Sequence, residues 1–375
     1  MDSRIARVPV EPMRRFVEAA FVGLGVPEED ARICADVLLS ADLRGIESHG
    51  IGRLKVYTDR IRQGLLSPTT DIEIVRDGPA VAVIDGHHGM GPVIARRAME
   101  TAITKAKIVG IGAVAVRDSS HFGIAGYYPL MAVREGLIGI TVTNARPSVL
   151  PTFGAEPMFG TNPIAFGAPT DEACPFLFDA ATSVVPRGKL EVLSRAEKPT
   201  PEGWVGDRTG GSATDTNEIL RGFGDGLFGL FPLGGAGEFY GGHKGYGLAT
   251  VVEILCASLQ RGAFLTDLAS KRPDGSPQKQ NLGHFFLALD IEAFGPVEAF
   301  QKTTGDILRR LRQARRIDGE DRIFTAGEKE WLNEARIREE GIPVNGNLRR
   351  DLEHVRDELA LEGHDLPFEE GQEEG

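Results

Sequence analysis

Between residues 93 and 142 the apolar residues of this chain switch twice from helical spacing to short unbroken runs, and this alternation limits the fold more than any other feature. Residues 93–107 place apolar side chains three and four apart, whereas 112–116 is the continuous run Gly-Ala-Val-Ala-Val. Residues 127–135 return to a short helix and 137–142 to a strand. Helices interleaved with strands predict a mixed α/β body, although periodicity does not set the strand order. Upstream, residues 12–43 read as helix in two pieces, with Pro27 and the acids Glu28, Glu29 and Asp30 opening the second. Residues 53–64 predict a further helix, and 72–75 and 81–85 predict strands turned at Asp77-Gly78. Glycine dominates residues 222–247, which predicts a loop until a helix resumes over 246–259. A last strand is expected at 285–290, with exposed helices at 309–316 and 328–340.

A length of 375 residues exceeds what one core usually supports, so more than one lobe is expected. The net charge of −12 argues against nucleic acid as a partner, because phosphate binding needs a basic surface. Part of that charge is a solvated tail: residues 362–375 carry six acids and no Lys or Arg. Cys34, Cys174 and Cys256 form neither a disulfide framework nor a metal knuckle. No apolar run approaches the ~20 residues that span a membrane, and the amino-terminal residues lack a signal-peptide core. A cytoplasmic location is therefore expected.

The chemistry concentrates in Arg44-Gly45-Ile46-Glu47-Ser48-His49-Gly50-Ile51-Gly52-Arg53. If residues 48–53 continue a helix, His49 and Arg53 lie four apart on one face. An imidazole exchanges protons near neutrality, and a guanidinium fork matches a carboxylate. The pair suits a small acid oxidised or reduced beside its carboxylate; a solvated, serine-capped helix end is the alternative. His121 ends a predicted strand next to glycine, a frequent place for active-site residues. His243 and Lys244 open a helix after a glycine loop, where free amides and an ammonium suit an anion. None of the body histidines shows the spacing of a metal pair, so no metal is expected. Gly110-Ile111-Gly112-Ala113-Val114-Ala115 fits a dinucleotide fingerprint formally, yet it follows a helix and opens a strand, the reverse of the required order. Those glycines read as a helix stop and a strand entry. Asn144-Ala145-Arg146-Pro147 and Phe159-Gly160-Thr161-Asn162-Pro163 are either turns or fixed amide and hydroxyl contacts to a ligand.

Taken together, RGIESHGIGRL (44–54), VRDSSHFGIAGYY (116–128), FGTNPIAFGAP (159–169), FDAATSVVPRGK (178–189), PEGWVGD (201–207), GGHKGYGLATVVEIL (241–255), GHFFLALD (283–290), AGEKEW (326–331) and GIPV (341–344) resemble the malate/L-lactate dehydrogenase family of NAD(P)-dependent oxidoreductases. The blocks stand in family order over nearly the whole chain. The resemblance implies a non-Rossmann malate/L-lactate dehydrogenase-like fold, with a helical lobe from both chain termini and a central α/β cofactor-binding part. It divides the chain into 1–75, 76–295, 296–350 and the acidic tail 351–375. It also implies a homodimer with the active site near the subunit contact.

By the same resemblance, His49 is the proton donor or acceptor backed by Ser48, Arg53 binds the substrate carboxylate, and His121 is a second catalytic position. NAD or NADP would be held by Asn144 and Ala145, by Asp179, Ala180, Ala181, Thr182 and Ser183, by His243 and Lys244, and by Gly327 and Glu328. Many relatives have serine where Ala145 stands, and proline where Ala326 stands; residues 218–240 look longer than usual. The implied reaction moves a hydride between nicotinamide and C2 of a small 2-hydroxy or 2-oxo acid. Malate, lactate, sulfolactate, ureidoglycolate, a diketo sugar acid and a cyclic imino acid all occur as family substrates. A metal-assisted hydrolase or lyase using His49, His121 and His284 is the rival reading.

Overall fold

Helix α1 (Val10–Gly23) and helix α2 (Glu28–Leu43) each begin directly after a proline, whose fixed φ suits a helix entry. In the computed structural model, which describes residues 5–272 and 274–370, their apolar faces meet in one core. Strand β1 (Ala6–Val8) leads in, and helix α3 (Leu54–Arg62) closes the segment. The far end of the chain completes this core. Helix α10 (Glu328–Glu340), strand β11 (Ile342–Val344) and helix α11 (Gly346–Glu358) bring Ile337, Ile342, Val344, Leu352 and Val355 against Phe16, Phe21 and Leu38. β1 pairs antiparallel with β11, Ala6 opposite Val344, and also with β12 (Glu369–Glu370).

The central sheet is built from β2 (Glu73–Asp77), β3 (Val81–Asp85), β4 (Ile111–Ser119), β5 (Ile138–Thr143), β6 (Ile164–Ala168), β7 (Phe176–Ala180) and, late in the chain, β10 (Leu282–Leu289). Its order is β2-β3-β4-β10-β5-β6-β7. Only β3 and β4 run parallel; every other pairing is antiparallel. This is not a doubly wound sheet.

Helix α4 (Gly91–Val109) and helix α5 (Tyr127–Arg134) cover one face and bury Ile94, Met99, Tyr128 and Phe286. The pseudo-fingerprint resolves as expected. Gly110 ends α4 at φ 89°, and a Cβ on Gly112 would lie 1.9 Å from the Ala102 carbonyl oxygen, so glycine lets α4 press directly on β4.

Residues 181–272 form the wall opposite. Helix α6 (Arg187–Arg195), strand β8 (Val205–Asp207), helix α7 (Thr216–Gly222) and strand β9 (Phe228–Leu230) share a small core of Val149, Phe159, Leu190, Ile219 and Leu230. The stretch read as one glycine loop therefore contains β9, and helix α8 (Gly242–Ala257) starts within it. The helix expected at 309–316 is the end of a longer helix α9 (Val297–Arg312). Among the described residues, no helix is long and apolar enough to cross a membrane.

Candidate active site

His49 sits where α2 gives way to α3, but not on a continuing helix. Residues 47–49 and 51–53 are two separate 3₁₀ turns, broken at Gly50 with φ −87° and ψ −151°. The expected four-residue spacing on a helical face is replaced by a tight bend. The buried Asp42 holds that bend: its Oδ2 accepts the Ile51 N–H at 2.7 Å. Arg53 Nε donates to the Ser48 carbonyl at 2.6 Å, so the arginine is tied to the turn that carries His49.

His121, beyond the end of β4, comes to the same place. Its ring stacks on His49 with centroids 5.6 Å apart and planes 22° from parallel. Tyr57 of α3 fixes it: the hydroxyl lies 2.9 Å from His121 Nδ1 and donates to the His121 carbonyl at 2.8 Å. Ser48 Oγ lies 2.8 Å from His49 Nδ1. Both rings are thus anchored at Nδ1, and among the described residues neither Nε2 has a protein partner. Two stacked imidazoles with free Nε2 atoms can exchange a proton with a bound molecule.

Electrostatics make both rings neutral at pH 7. Burial, then the Arg53 charge, lowers His49 from the usual 6.5 to about 4. Burial also pushes His121 well below its ordinary value, aided by the nearby His49, Arg53, His284 and Arg146. The unperturbed value expected from the sequence does not hold, because the site is desolvated and cationic. A carboxylate seated on Arg53 would cancel part of that field and raise the proton affinity of His49.

Ser48, His49, Arg53 and His121 share one cavity of about 390 Å³ with Ala145 and Thr161. A second cavity, of about 490 Å³, flanks the same bend at Ile46 and contains Gly126, Asp179 and Gly327. Asp179 Oδ2 accepts the Gly126 N–H at 2.7 Å; the residue is exposed to the cavity, and desolvation by the walls around it raises its carboxyl to about 6. Ala180 ends β7, and Thr182 joins the two regions, with its hydroxyl donating to the Thr161 and Asn162 carbonyls at 3.1 Å each. Ser183 Oγ donates to the Val185 carbonyl at 2.9 Å. His243 and Lys244 stand exposed in the first turn of α8, lining neither cavity.

Two of the expected cofactor residues are occupied by the protein itself. Asn144 is fully buried: its amide donates to Glu253 and to the Ala263 carbonyl, and its oxygen accepts the Gly283 N–H at 2.8 Å. Its side chain supports the Ala145–Arg146 loop. Glu328 is buried against Arg322 and Arg312 and accepts the Thr325 N–H at 3.1 Å, so it braces the turn at Gly327. Ala181 follows β7 half-buried. Sequence reasoning missed the positioning residues Asp42 and Tyr57, and it assigned no role to Arg60, Arg146 and Arg187, which line the histidine cavity. Among the described residues, no group of three or more His, Cys, Asp or Glu is arranged to hold a metal ion. Of the rival set, His284 is fully buried, with its Nδ1 2.7 Å from Thr143 Oγ1.

An arginine fork thus lies beside two imidazoles, in a fold that, among the described residues, has no strand-to-helix dinucleotide turn. The sequence model of the family described as malate/L-lactate dehydrogenase matches residues 8–353. A malate dehydrogenase of Pyrococcus horikoshii is 45% identical over 97% of this chain and 98% of its own length. A malate/(S)-sulfolactate dehydrogenase of Methanothermus fervidus is 37% identical over 94% of this chain and 98% of its own. The solved malate dehydrogenase of Entamoeba histolytica superposes with a TM-score of 0.93 at 41% identity, covering 97% of this chain and all of that one. The chain belongs to the malate/L-lactate dehydrogenase family. It is an NAD(P)-dependent oxidoreductase that acts on a CH–OH group.

Proposed function

We propose that the substrate is a small 2-hydroxy or 2-oxo acid of the malate type, gripped by Arg53 and handled at its oxygen by His49. The observation that carries this reading is the single cavity in which the stacked pair His49–His121 meets Arg53. Arg53 spends only its Nε on the Ser48 carbonyl, leaving its two Nη groups for a bidentate carboxylate contact. Neutral His49 takes the hydroxyl proton during oxidation and returns it during reduction, with Ser48 holding the ring at Nδ1. His121, locked by Tyr57, forms the other side of the reacting oxygen.

A nicotinamide cofactor, when bound, supplies the hydride chemistry. The residues suit it. Asp179 has one oxygen on Gly126 and another open to an adjoining cavity, an acceptor for a ribose hydroxyl or an amide. Lys244 and the first-turn amides of α8 suit a phosphate. Either NAD or NADP fits this description. The core shared by α1, α2, α10 and α11 supports the division into a two-ended helical lobe (1–75 with 296–350), a central part (76–295) and the tail 351–375. We read the protein as a homodimer, because α8 leaves Leu248, Val251 and Ile254 exposed beside Leu259 and Phe264. Free thiols at Cys34, Cys174 and Cys256 are in keeping with the reducing cytoplasm.

The test is a panel of oxaloacetate, sulfopyruvate, pyruvate and oxalurate, the oxidised partner of ureidoglycolate, against NADH and NADPH. Oxidation of reduced nicotinamide with at least one 2-oxo acid is expected. No turnover with any acid and either cofactor would refute the proposal.

A further inference from the structure

The histidine cavity holds more positive charge than a monocarboxylate requires. Arg53, Arg60, Arg146 and Arg187 all line it, and the one acid in its wall is Glu191, 3.3 Å from Arg187 Nε. These guanidiniums come from four separate places: the turn before α3, α3 itself, the loop after β5, and the first residue of α6. Gathering them raises mutual repulsion. Desolvation and the neighbouring Arg187, Arg53 and Arg60 hold Arg146 below its ordinary pKa. Glu191 offsets part of this repulsion, and an anion bound among the guanidiniums would offset more.

Their partners are incomplete. Arg60 donates to the Gln278 carbonyl at 3.3 Å, but its buried Nε has no hydrogen bond. Arg187 Nε is buried and has only its ion pair with Glu191, without hydrogen-bond geometry; its guanidinium lies 5.5 Å from the Phe223 ring centroid, which orients it. Among the described residues, no acceptor meets Arg146. Arg146 and Arg187 also border the adjoining cavity of about 760 Å³, so they stand where the inner site opens outward, with Arg208 and Lys271 beyond them.

We infer that Arg146 and Arg187 form a distal clamp for a second anionic group, a carboxylate or sulfonate at the far end of the substrate from the carboxylate on Arg53. The site then selects dianionic 2-oxo acids over monoanionic ones. This rests on the 2-oxo acid reading above. A carboxylate or sulfonate presents two or three oxygens, and planar guanidiniums meet them with paired hydrogen bonds. A monoanion such as pyruvate would leave Glu191, paired to Arg187, as the one negative charge for both guanidiniums.

The experiment compares wild type with Arg146→Gln, Arg187→Gln and the double variant at constant ionic strength. The ratio of kcat/KM for oxaloacetate over pyruvate should fall by about 10- to 100-fold in each single variant, the range of a lost charge-assisted hydrogen bond. Independently of turnover, succinate should raise the melting temperature of wild type more than acetate does, and the double variant should lose that difference. Parallel loss on both oxo acids, or undiminished succinate protection, would overturn the clamp. So would a weakened NADPH Kd with succinate protection intact, which would assign the pair to a cofactor phosphate. If wild type reduces no 2-oxo acid at all, the substrate reading fails, and the succinate comparison alone decides the clamp.

Discussion

Substituting Gly50 by alanine should collapse the bend that carries His49. A Cβ there would lie 2.0 Å from Asp42 Oδ1 and 2.2 Å from its Cγ, far inside contact distance. Asp42 is buried and cannot swing into solvent, so the carboxyl must shift and release the Ile51 N–H that it accepts at 2.7 Å. Forcing a methyl into a filled site costs about 1–3 kcal/mol. Stranding a buried hydrogen-bonding group costs about another 1–3. A total of about 2–6 kcal/mol is expected in urea unfolding, with kcat reduced because Ser48 and His49 sit on the displaced turn. Asp42→Ala separates the two causes. It removes the obstacle, so Gly50→Ala added to Asp42→Ala should cost far less than it does alone, a coupling of about 1 kcal/mol or more. Additive costs, or a Gly50→Ala protein with wild-type stability and kcat, would refute the argument.

Three further outcomes are expected. Arg53→Lys should lower kcat/KM for the acid while leaving the cofactor Kd near its original value, since an ammonium reproduces neither the fork nor the hold on the Ser48 carbonyl; a selective loss of cofactor affinity would contradict this. Lys244→Ala should weaken NAD(P)H binding by about 1.5–3 kcal/mol, read by fluorescence titration, and an unchanged Kd would return Lys244 to a surface role. His284 is fully buried and lowered to about 3 by burial, so the unfolded chain takes up its proton near pH 6.5 while the folded chain does not until about pH 3. Stability should therefore fall as pH drops from about 6.5 towards 3, by up to about 5 kcal/mol at about 1.4 kcal/mol per pKa unit. His284→Leu should flatten that slope, and a slope unaltered by the substitution would exclude the residue as its source.

The elements that sequence made legible are those whose signal is local. Proline and acids announced α2, apolar spacing announced α4, and unbroken apolar runs announced β4, β5 and β10. β6 and β7 were not read, because prolines and glycines around them have the composition of turns, and only their neighbours in the sheet make them strands. The β1–β11 pairing joins residues more than three hundred positions apart and leaves no local trace. In the site, the residue types of the Ser48–Arg53 segment were informative, but their geometry was not: Gly50 breaks the helix that spacing suggested. Arg146 and Arg187 lie in different blocks and share no pattern, so only the fold shows that they line one cavity. Asn144 and Glu328 carried polar groups that seemed free for a ligand; burial commits both to internal bonds.

The central claim is hydride exchange between a nicotinamide and C2 of an acid held beside His49 and Arg53. It is tested most directly by reducing a 2-oxo acid with NAD(P)H deuterated at the transferable C4 position and locating the label by NMR. The account predicts deuterium at C2 of the 2-hydroxy acid product, lost in step with turnover in His49→Ala. Product without deuterium at C2, or labelled product formed at an undiminished rate by folded His49→Ala, would contradict it.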